Sequence, residues 1–390
     1  MTVRAATVRA GGRRMLIWSS FIPLLALQLV ASPAVRADEE STFVQTNLVS
    51  DLPGLARVQD QNLKNSWGIV HGPATPWWVA DNNGNVSTLY DGTGTPFPPT
   101  SPTNPGPLVV NIPTPAAATG GTPTGIVFNS QVTDFMVSDG TKSGPSRFIF
   151  ATEDGTIEGW SPAVSRTQAL IAVDRSEVPS AADGAVYKGL AIAPTPAGQR
   201  LYATNFRAGT VDVFDSSFNP VHKPGAFRDR RIPDGYAPFG IQEIGGQLFV
   251  SYARQNRARH DDLSGPGRGF VDVFSTGGSL VRRLIRRGAL DSPWGLAIAP
   301  QGFGDHAGQL LVGNFGDGRI NAYDIHSGEF EGVLRRPDGK PFHVDGLWGI
   351  GFGNGSVAGP VTTLFFAAGI NGEQDGLFGS LQAQGESRAD

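Results

Sequence analysis

The sequence predicts an all-β fold, a six-bladed β-propeller made of four-stranded antiparallel blades, and three observations carry that expectation. The first is internal repetition. "LLVGNFGDGRINAYD" (residues 310–324) restates "RLYATNFRAGTVDVFD" (residues 200–215): an apolar strand, Asn-Phe, a glycine turn, a second alternating strand and a closing Asp. The second is spacing, because the leading glycines of six copies, Gly68, Gly125, Gly189, Gly240, Gly295 and Gly349, stand 51 to 64 residues apart. The third is composition: 52 Gly and 29 Pro in 390 residues favour many turns over long helices.

Each copy opens with a short strand around its leading glycine: "SWGIV", "PTGIVF", "YKGLAIAP", "PFGIQEI", "PWGLAIAP" and "LWGIGFG". A second strand follows: "WWVAD", "FIFATE", "LYATN", "LFVSY", "LLVGN" and "LFFAA". After a Gly-containing turn comes a third: "NVSTLYD", "TIEGWS", "TVDVFD", "FVDVFS", "RINAYD" and "LFGSL". Apolar and polar residues alternate with period two between Gly, Asn and Asp boundaries, as half-buried antiparallel strands require. A fourth strand is legible in most copies, for example "LVVNI" (residues 108–112) and "LVRRLI" (residues 280–285). The last copy ends after its third strand, whereas an unassigned strand, "FVQTNLVSD" (residues 43–51), precedes the first. That N-terminal strand is expected to complete the last blade and close the ring, which leaves no sheet edge open between first and last copies.

Ahead of the repeats, Arg4, Arg9, Arg13 and Arg14 precede an apolar run over residues 15–30, and "AVRA" (residues 34–37) puts small residues at a cleavage site. Residues 1–37 are expected to be a signal peptide, with Sec and twin-arginine export both open, and the protein to be periplasmic or extracellular. Residues 38–390 then form one domain, with residues 92–123 and 253–269 as surface loops. Without the leader, 26 basic face 35 acidic side chains, a net charge near −9 that argues against nucleic acid and anionic lipid as partners. Cysteine is absent, which excludes disulfides and thiolate chemistry. No membrane anchor is expected beyond the leader, and a monomer is expected.

Most strand aromatics are expected to be core. Departures from the repeat at the channel mouth are the better functional candidates, because the loop into the first strand and the turn between the second and third share one face. The second strands end at Asp81, Glu153, Asn205, Tyr252, Asn314 and Ala368, and the leading glycines are preceded by Trp67, Thr124, Lys188, Phe239, Trp294 and Trp348. Asp81, Glu153, Asn205 and Asn314 are candidate metal ligands, since oxygens converging on an axis suit Ca²⁺ or another divalent cation; Asp and Asn at such turns also bond their own backbone. Lys188 opposes a cation and suits a polar or anionic ligand, and with Tyr252, Trp67, Trp294 and Trp348 it makes the candidate ligand-binding set. The fourth copy carries a long insertion, "ARQNRARHDDLSGPGRG" (residues 253–269), in which His260, Asp261 and Asp262 are candidate catalytic groups or plain surface. Gly265, Gly267 and Gly269 would permit a mobile lid. No G-x-S-x-G, H-E-x-x-H or phosphate loop is present.

The segments "SWGIV" with "WWVADNNGN", "FIFATEDGTIEGW", "VYKGLAI", "HDDLSGPGRGFVDVFS", "SPWGLAIAP" with "LLVGNFGDG", and "GLWGIGFGNG" with "AAGINGEQDGLFG" resemble a family of exported bacterial six-repeat propeller proteins over residues 43–382. More distantly the blades are similar to NHL repeats and to the propellers of gluconolactonases and regucalcin. The close resemblance implies the fold and an exported location. The distant one implies a divalent metal at the mouth, with Asp81, Glu153, Asn205 and Asn314 at the positions able to hold it; Lys188 and Tyr252 depart from such a ring.

Two functions follow. The first is a binding or scaffold protein whose mouth recognises a small polar ligand, a glycan or a protein. The second is a divalent-metal-dependent hydrolase or lactonase at the same mouth, with His260 or Asp261 as base.

Overall fold

The computed structural model describes residues 41–101, 106–117 and 119–384. The expected signal peptide, residues 1–37, lies outside them. Six small antiparallel sheets form a ring, each inner strand adjoining the inner strand of the next sheet and the sixth adjoining the first. The inner strands are Ser66–Val70, Pro123–Phe128, Tyr187–Thr195, Tyr236–Ile244, Pro293–Ile298 and Leu347–Phe352. The fold is therefore the six-bladed propeller that the repeat predicts.

Closure also takes the expected route. Phe43–Ser50 pairs antiparallel with Asp375–Ala383, the third strand of blade 6, and so becomes that blade's fourth strand. A two-residue strand, Val58–Gln59, adds parallel to its outer edge.

One blade differs from the four-stranded pattern. The third sheet has three strands, Tyr187–Thr195, Gly198–Asn205 and Thr210–Asp215. The chain that follows, "FNPVHKPGAF", carries two prolines without an N–H to donate, and it meets the third strand through a bridge from Phe214 to Pro220 and backbone bonds such as Asp215 N–H to the Asn219 carbonyl and Val221 N–H to the Val213 carbonyl, instead of a ladder. Blade 2 carries an extra hairpin, Met136–Ser138 with Ser143–Pro145.

The leading glycine of every blade has one physical reason. A Cβ placed on Gly68, Gly125, Gly189, Gly240, Gly295 or Gly349 would stand under 3.0 Å from backbone atoms of the next blade around the ring. For Gly349 that atom is the Trp67 carbonyl oxygen, so the contact runs through all six blades and closes on itself. Side-chain hydroxyls stitch the same level: Thr204 Oγ1 donates to the Phe239 carbonyl (2.7 Å) and Ser251 Oγ to the Pro293 carbonyl (2.7 Å). The core lies between neighbouring blades, as with Phe135, Ile149, Tyr187, Leu201 and Phe214 between blades 2 and 3.

Candidate functional site

The residue before each leading glycine sits at the channel mouth, and backbone irregularity puts it there. All six inner-strand ladders slip register near the glycine, a bulge that turns the preceding side chain out of the ladder. In blades 1 and 5 the residue two places before the tryptophan, Asn65 or Ser292, takes a positive φ (46° in both). Non-glycine residues in that region are held there by their surroundings and concentrate at functional sites. Trp67 and Trp348 stack at 3.6 Å and Phe315 stacks on Trp348 at 3.9 Å, closing the axis beneath the mouth with an aromatic floor. The Trp67 indole N–H is buried there without a partner.

On this floor a single polar network takes a side chain from every blade. Trp348 Nε1 donates to Asn65 Oδ1 (3.2 Å), and Asn65 Nδ2 donates to Glu373 Oε1 (3.2 Å) and Asn82 Oδ1 (3.3 Å). Asn82 Nδ2 donates to Glu153 Oε2 (2.9 Å), and Lys188 Nζ donates to Glu153 Oε1. The lysine lies 3.7 Å from Asp261 Oδ1 and 5.0 Å from the Trp67 ring centre. Asp261 Oδ1 is 2.7 Å from His260 Nδ1, and Ser292 Oγ bonds Asp262.

The blade 4 insertion therefore lies across the mouth rather than away from it. It leaves the strand Gln247–Arg254 as a short hairpin: Asn256 N–H bonds the Asp261 carbonyl and Leu263 N–H the Arg254 carbonyl. Arg259, at φ 55°, turns the chain so that its guanidinium reaches Asp183 (2.9 Å) and His260 falls inward. Gly265 N–H is held by Asp291 Oδ1 (2.6 Å) and Arg268 by the Ser264 carbonyl (2.7 Å). These bonds tie down the base of the glycine-rich segment.

Exposure falls with depth: the side chains are 61% exposed at Asp261, 37% at His260, 13% at Glu153 and 3% at Lys188. Burial lowers the Lys188 ammonium's pKa, but Glu153 and Asp261 outweigh it and the net shift is upward, so the lysine is charged. The His260 hydrogen bond holds the Asp261 carboxyl down at about 2. Burial pushes Glu373 up to about 6 against the pull of Lys188, and it also raises Asp262 despite the Ser292 bond. Near neutral pH one buried cation thus sits beneath four carboxyl groups and an imidazole, so the accessible part of the mouth carries negative charge.

The other expected site residues take different places. Asp81 is fully buried, with Oδ2 accepting from Thr88 Oγ1 (2.7 Å), and its carboxyl is raised well above the usual range by burial. Its neighbour Asn82, not Asp81, reaches Glu153. Asn205 Nδ2 bonds Asp212 (3.1 Å), and Asn314 Nδ2 bonds the Ala289 carbonyl (2.8 Å) and Asp317 (3.0 Å). Trp294 Nε1 donates to the Lys188 carbonyl (3.1 Å), while Trp67 and Trp348 lie buried in the floor beneath the ion pair.

Tyr252 is packed in the core between blades 3 and 4, its hydroxyl buried without a partner beside Asp272 and Asp229. Burial pushes Asp229 up, but bonds from Arg283 and the Arg231 N–H outweigh it and hold it low; burial and the Asp229 charge push Asp272 up to about 7 from 3.8. A carboxyl raised on folding contributes stability that is full below the unfolded value and lost as pH rises to the folded one. Asp272→Asn is therefore expected to flatten the loss of melting temperature between about pH 4 and about pH 7, and to melt above wild type at about pH 8. Parallel pH profiles in the two proteins would contradict the burial of that charge.

Glu373, Asn65, Asn82 and Ser292 join the site without having been legible in the repeat. Glu373 follows Asn371 (φ 55°) and Gly372 (φ 63°) and itself has φ 67°, a left-handed turn that carries it back over the floor. Its available signal was the irregular "GINGEQDG" between the last copy's second and third strands.

Among the described residues, Glu153, His260 and Asp261 place one ligand atom each within 4.8 Å of one another, a donor set compatible with a divalent cation. The Lys188 ammonium already stands against two of these carboxylates. The set does not fit a metal while that lysine keeps its place.

No protein-family model matches the chain. Uncharacterized protein R648 of Acanthamoeba polyphaga mimivirus is 31% identical over 375 residues, covering 94% of this chain and 87% of its own length. Uncharacterized protein L690 of the same virus is 32% identical over 345 residues, covering 87% and 86%. Among solved structures, virginiamycin B lyase from Staphylococcus aureus superposes with a TM-score of 0.49 at 14% identity, covering 88% of this chain and 99% of that one. A gluconolactonase from Xanthomonas campestris gives 0.46 at 14% identity, covering 83% and 87%. The relatives named here are viral, where the sequence resemblance pointed to bacteria, and likeness to the solved structures at these identities says nothing of chemistry. At such identity along nearly its whole length, the chain belongs to the protein family that contains mimivirus proteins R648 and L690.

Proposed function

We propose that the protein is a ligand-binding propeller whose mouth takes a small polar ligand bearing amino or hydroxyl groups, or the same groups displayed on a glycan or partner protein. One observation carries this reading: all six blades send a side chain to one network, centred on a buried lysine and edged by accessible carboxylates. A network that extensive is costly to assemble unless its members satisfy one another or a ligand. Here Lys188, Asn65 and Asn82 fix the positions of Glu153 and Glu373, while His260 and Asp261 remain open to solvent. A ligand N–H or O–H would be accepted by Asp261 and Glu373, and the loop's grip on Asp183 would hold His260 above it.

The reading is tested by thermal shift and calorimetry against simple amines, polyols and saccharides. At least one class is expected to bind saturably, with affinity falling about tenfold or more in Asp261→Asn, the loss typical of a hydrogen bond to a charged group. Binding by no class, or binding indifferent to Asp261→Asn and to Glu373→Gln, would sink it.

The second reading, a divalent-metal hydrolase, is favoured by the proximity of Glu153, His260 and Asp261. It requires Lys188 to leave Glu153. We further propose that residues 1–37 are removed on export; N-terminal sequencing of the mature protein is expected to begin at Asp38, and an intact Met1 would contradict export by cleavage.

A further inference from the structure

The face opposite the mouth opens along the axis into a funnel of about 500 Å³. Its wall is written in the repeat. The residue after each leading glycine is Ile or Leu in all six blades, and two positions further on stand His71, Phe128, Ile192, Glu243, Ile298 and Phe352. Residues two apart on a strand face the same way, and both sets line the funnel or the constriction above it. All six of the outer set are only half-buried, so four large apolar side chains meet solvent inside a concavity. The stacked Trp67, Trp348 and Phe315 close the axis towards the mouth, which makes the funnel a blind pocket separate from the polar network.

Backbone groups of the inner strands share the wall, but its polar side chains are few and unequal. Both ring nitrogens of His71 are engaged with backbone carbonyls, Nε2 with Phe352 (2.7 Å) and Nδ1 with Gly72 (3.1 Å). Glu243 Oε1 accepts from the Gly246 N–H (2.6 Å), which fixes a carboxylate at the wall. Gln242 is exposed, and its amide has no side-chain partner among the described residues. A pocket of this volume, lined by apolar side chains with one unengaged polar side chain to orient a ligand, is the usual form of a small-molecule site, and it is too small for a folded partner.

We propose that this funnel binds a compact apolar ligand with a neutral hydrogen-bonding end, an aliphatic or aromatic body against Phe128, Ile192, Ile298 and Phe352 with a hydroxyl or amide at Gln242. Displacing water from those side chains supplies the affinity. Glu243 selects against an anionic end by charge repulsion.

The test is fluorescence titration of the full chain with the neutral apolar probe N-phenyl-1-naphthylamine, followed by displacement with 1-decanol and with decanoate. Saturable binding of one probe per chain is expected, with decanol displacing it about tenfold more effectively than decanoate, the ratio that a single unfavourable charge contact gives. Ile298→Glu, which puts a second carboxylate in the wall, and Ile192→Trp, which fills the space without adding charge, are each expected to weaken the probe about tenfold or more. The tryptophan variant keeps the test valid if the glutamate variant does not fold. Absence of saturable binding, unchanged affinity in a folded Ile192→Trp, or decanoate displacing as well as decanol would overturn the proposal.

Discussion

Replacing Lys188 by Met is expected to cost about 3–5 kcal/mol of stability, the range for removing one partner of a buried ion pair. The side chain is 3% exposed and its ammonium bonds Glu153, lies 3.7 Å from Asp261 and faces the Trp67 ring. Methionine keeps the length and the contact with the indole but leaves Glu153 and Asp261 without their cation, and Glu373 and Asp262 add to the repulsion. The penalty is that of the uncompensated carboxylate, so the double variant Lys188→Met with Glu153→Gln is expected to recover most of the loss. Denaturant melts of the wild type, both single variants and the double variant measure this coupling. Additive losses would mean that the two groups do not act as a pair.

Gly240→Ala is expected to cost about 3 kcal/mol, at the upper end for overpacking, because the added methyl meets backbone instead of a side chain that can move. The atoms it meets are the Trp294 carbonyl group of blade 5 and Ser251 Oγ, which itself bonds the Pro293 carbonyl and the Gly240 N–H. Blades 4 and 5 would have to separate at the axis, moving Trp294 and its bond to the Lys188 carbonyl. Alanine at Gly245, which meets nothing within 4 Å but has φ 59°, isolates the backbone cost alone and is expected to lose about 1 kcal/mol. Thermal melts that rank the two variants equally would contradict the close approach of blades as the reason for the six glycines.

These two effects rest on features of different legibility. The glycine ring is visible in the sequence because close approach is repeated six times with one solution each time. Ring closure by Phe43–Ser50 is visible for a related reason: the last copy lacks a strand that the first copy's preceding segment can supply. The three-stranded third blade is harder to see, since "FNPVHKPGAF" departs from strand chemistry only through its prolines.

In the site, Glu153, Lys188 and the His260 loop are legible as departures from the repeat on one face, and the structure brings them together. Asn65, Asn82, Ser292 and Glu373 are not, because they lie off the repeated columns. Asn65, Ser292 and Glu373 are aimed by left-handed backbone that no pattern of polarity encodes. Asn82 shows the limit most plainly: it stands one residue beyond the acidic column, and only the end of the strand at Asp81 makes it, and not the aspartate, the residue that crosses to blade 2.

The central claim is that the mouth's cation is the lysine and that its ligand is polar and organic. Calorimetric titration of the wild-type protein with Ca²⁺, with metal analysis before and after chelator, tests it most directly. The expected result is no stoichiometric metal and no saturable heat at millimolar Ca²⁺, with an unchanged melting temperature in EDTA. A tightly held divalent ion, lost to EDTA with a fall in melting temperature and absent from Glu153→Ala, would contradict the account and make the triad of Glu153, His260 and Asp261 a metal centre.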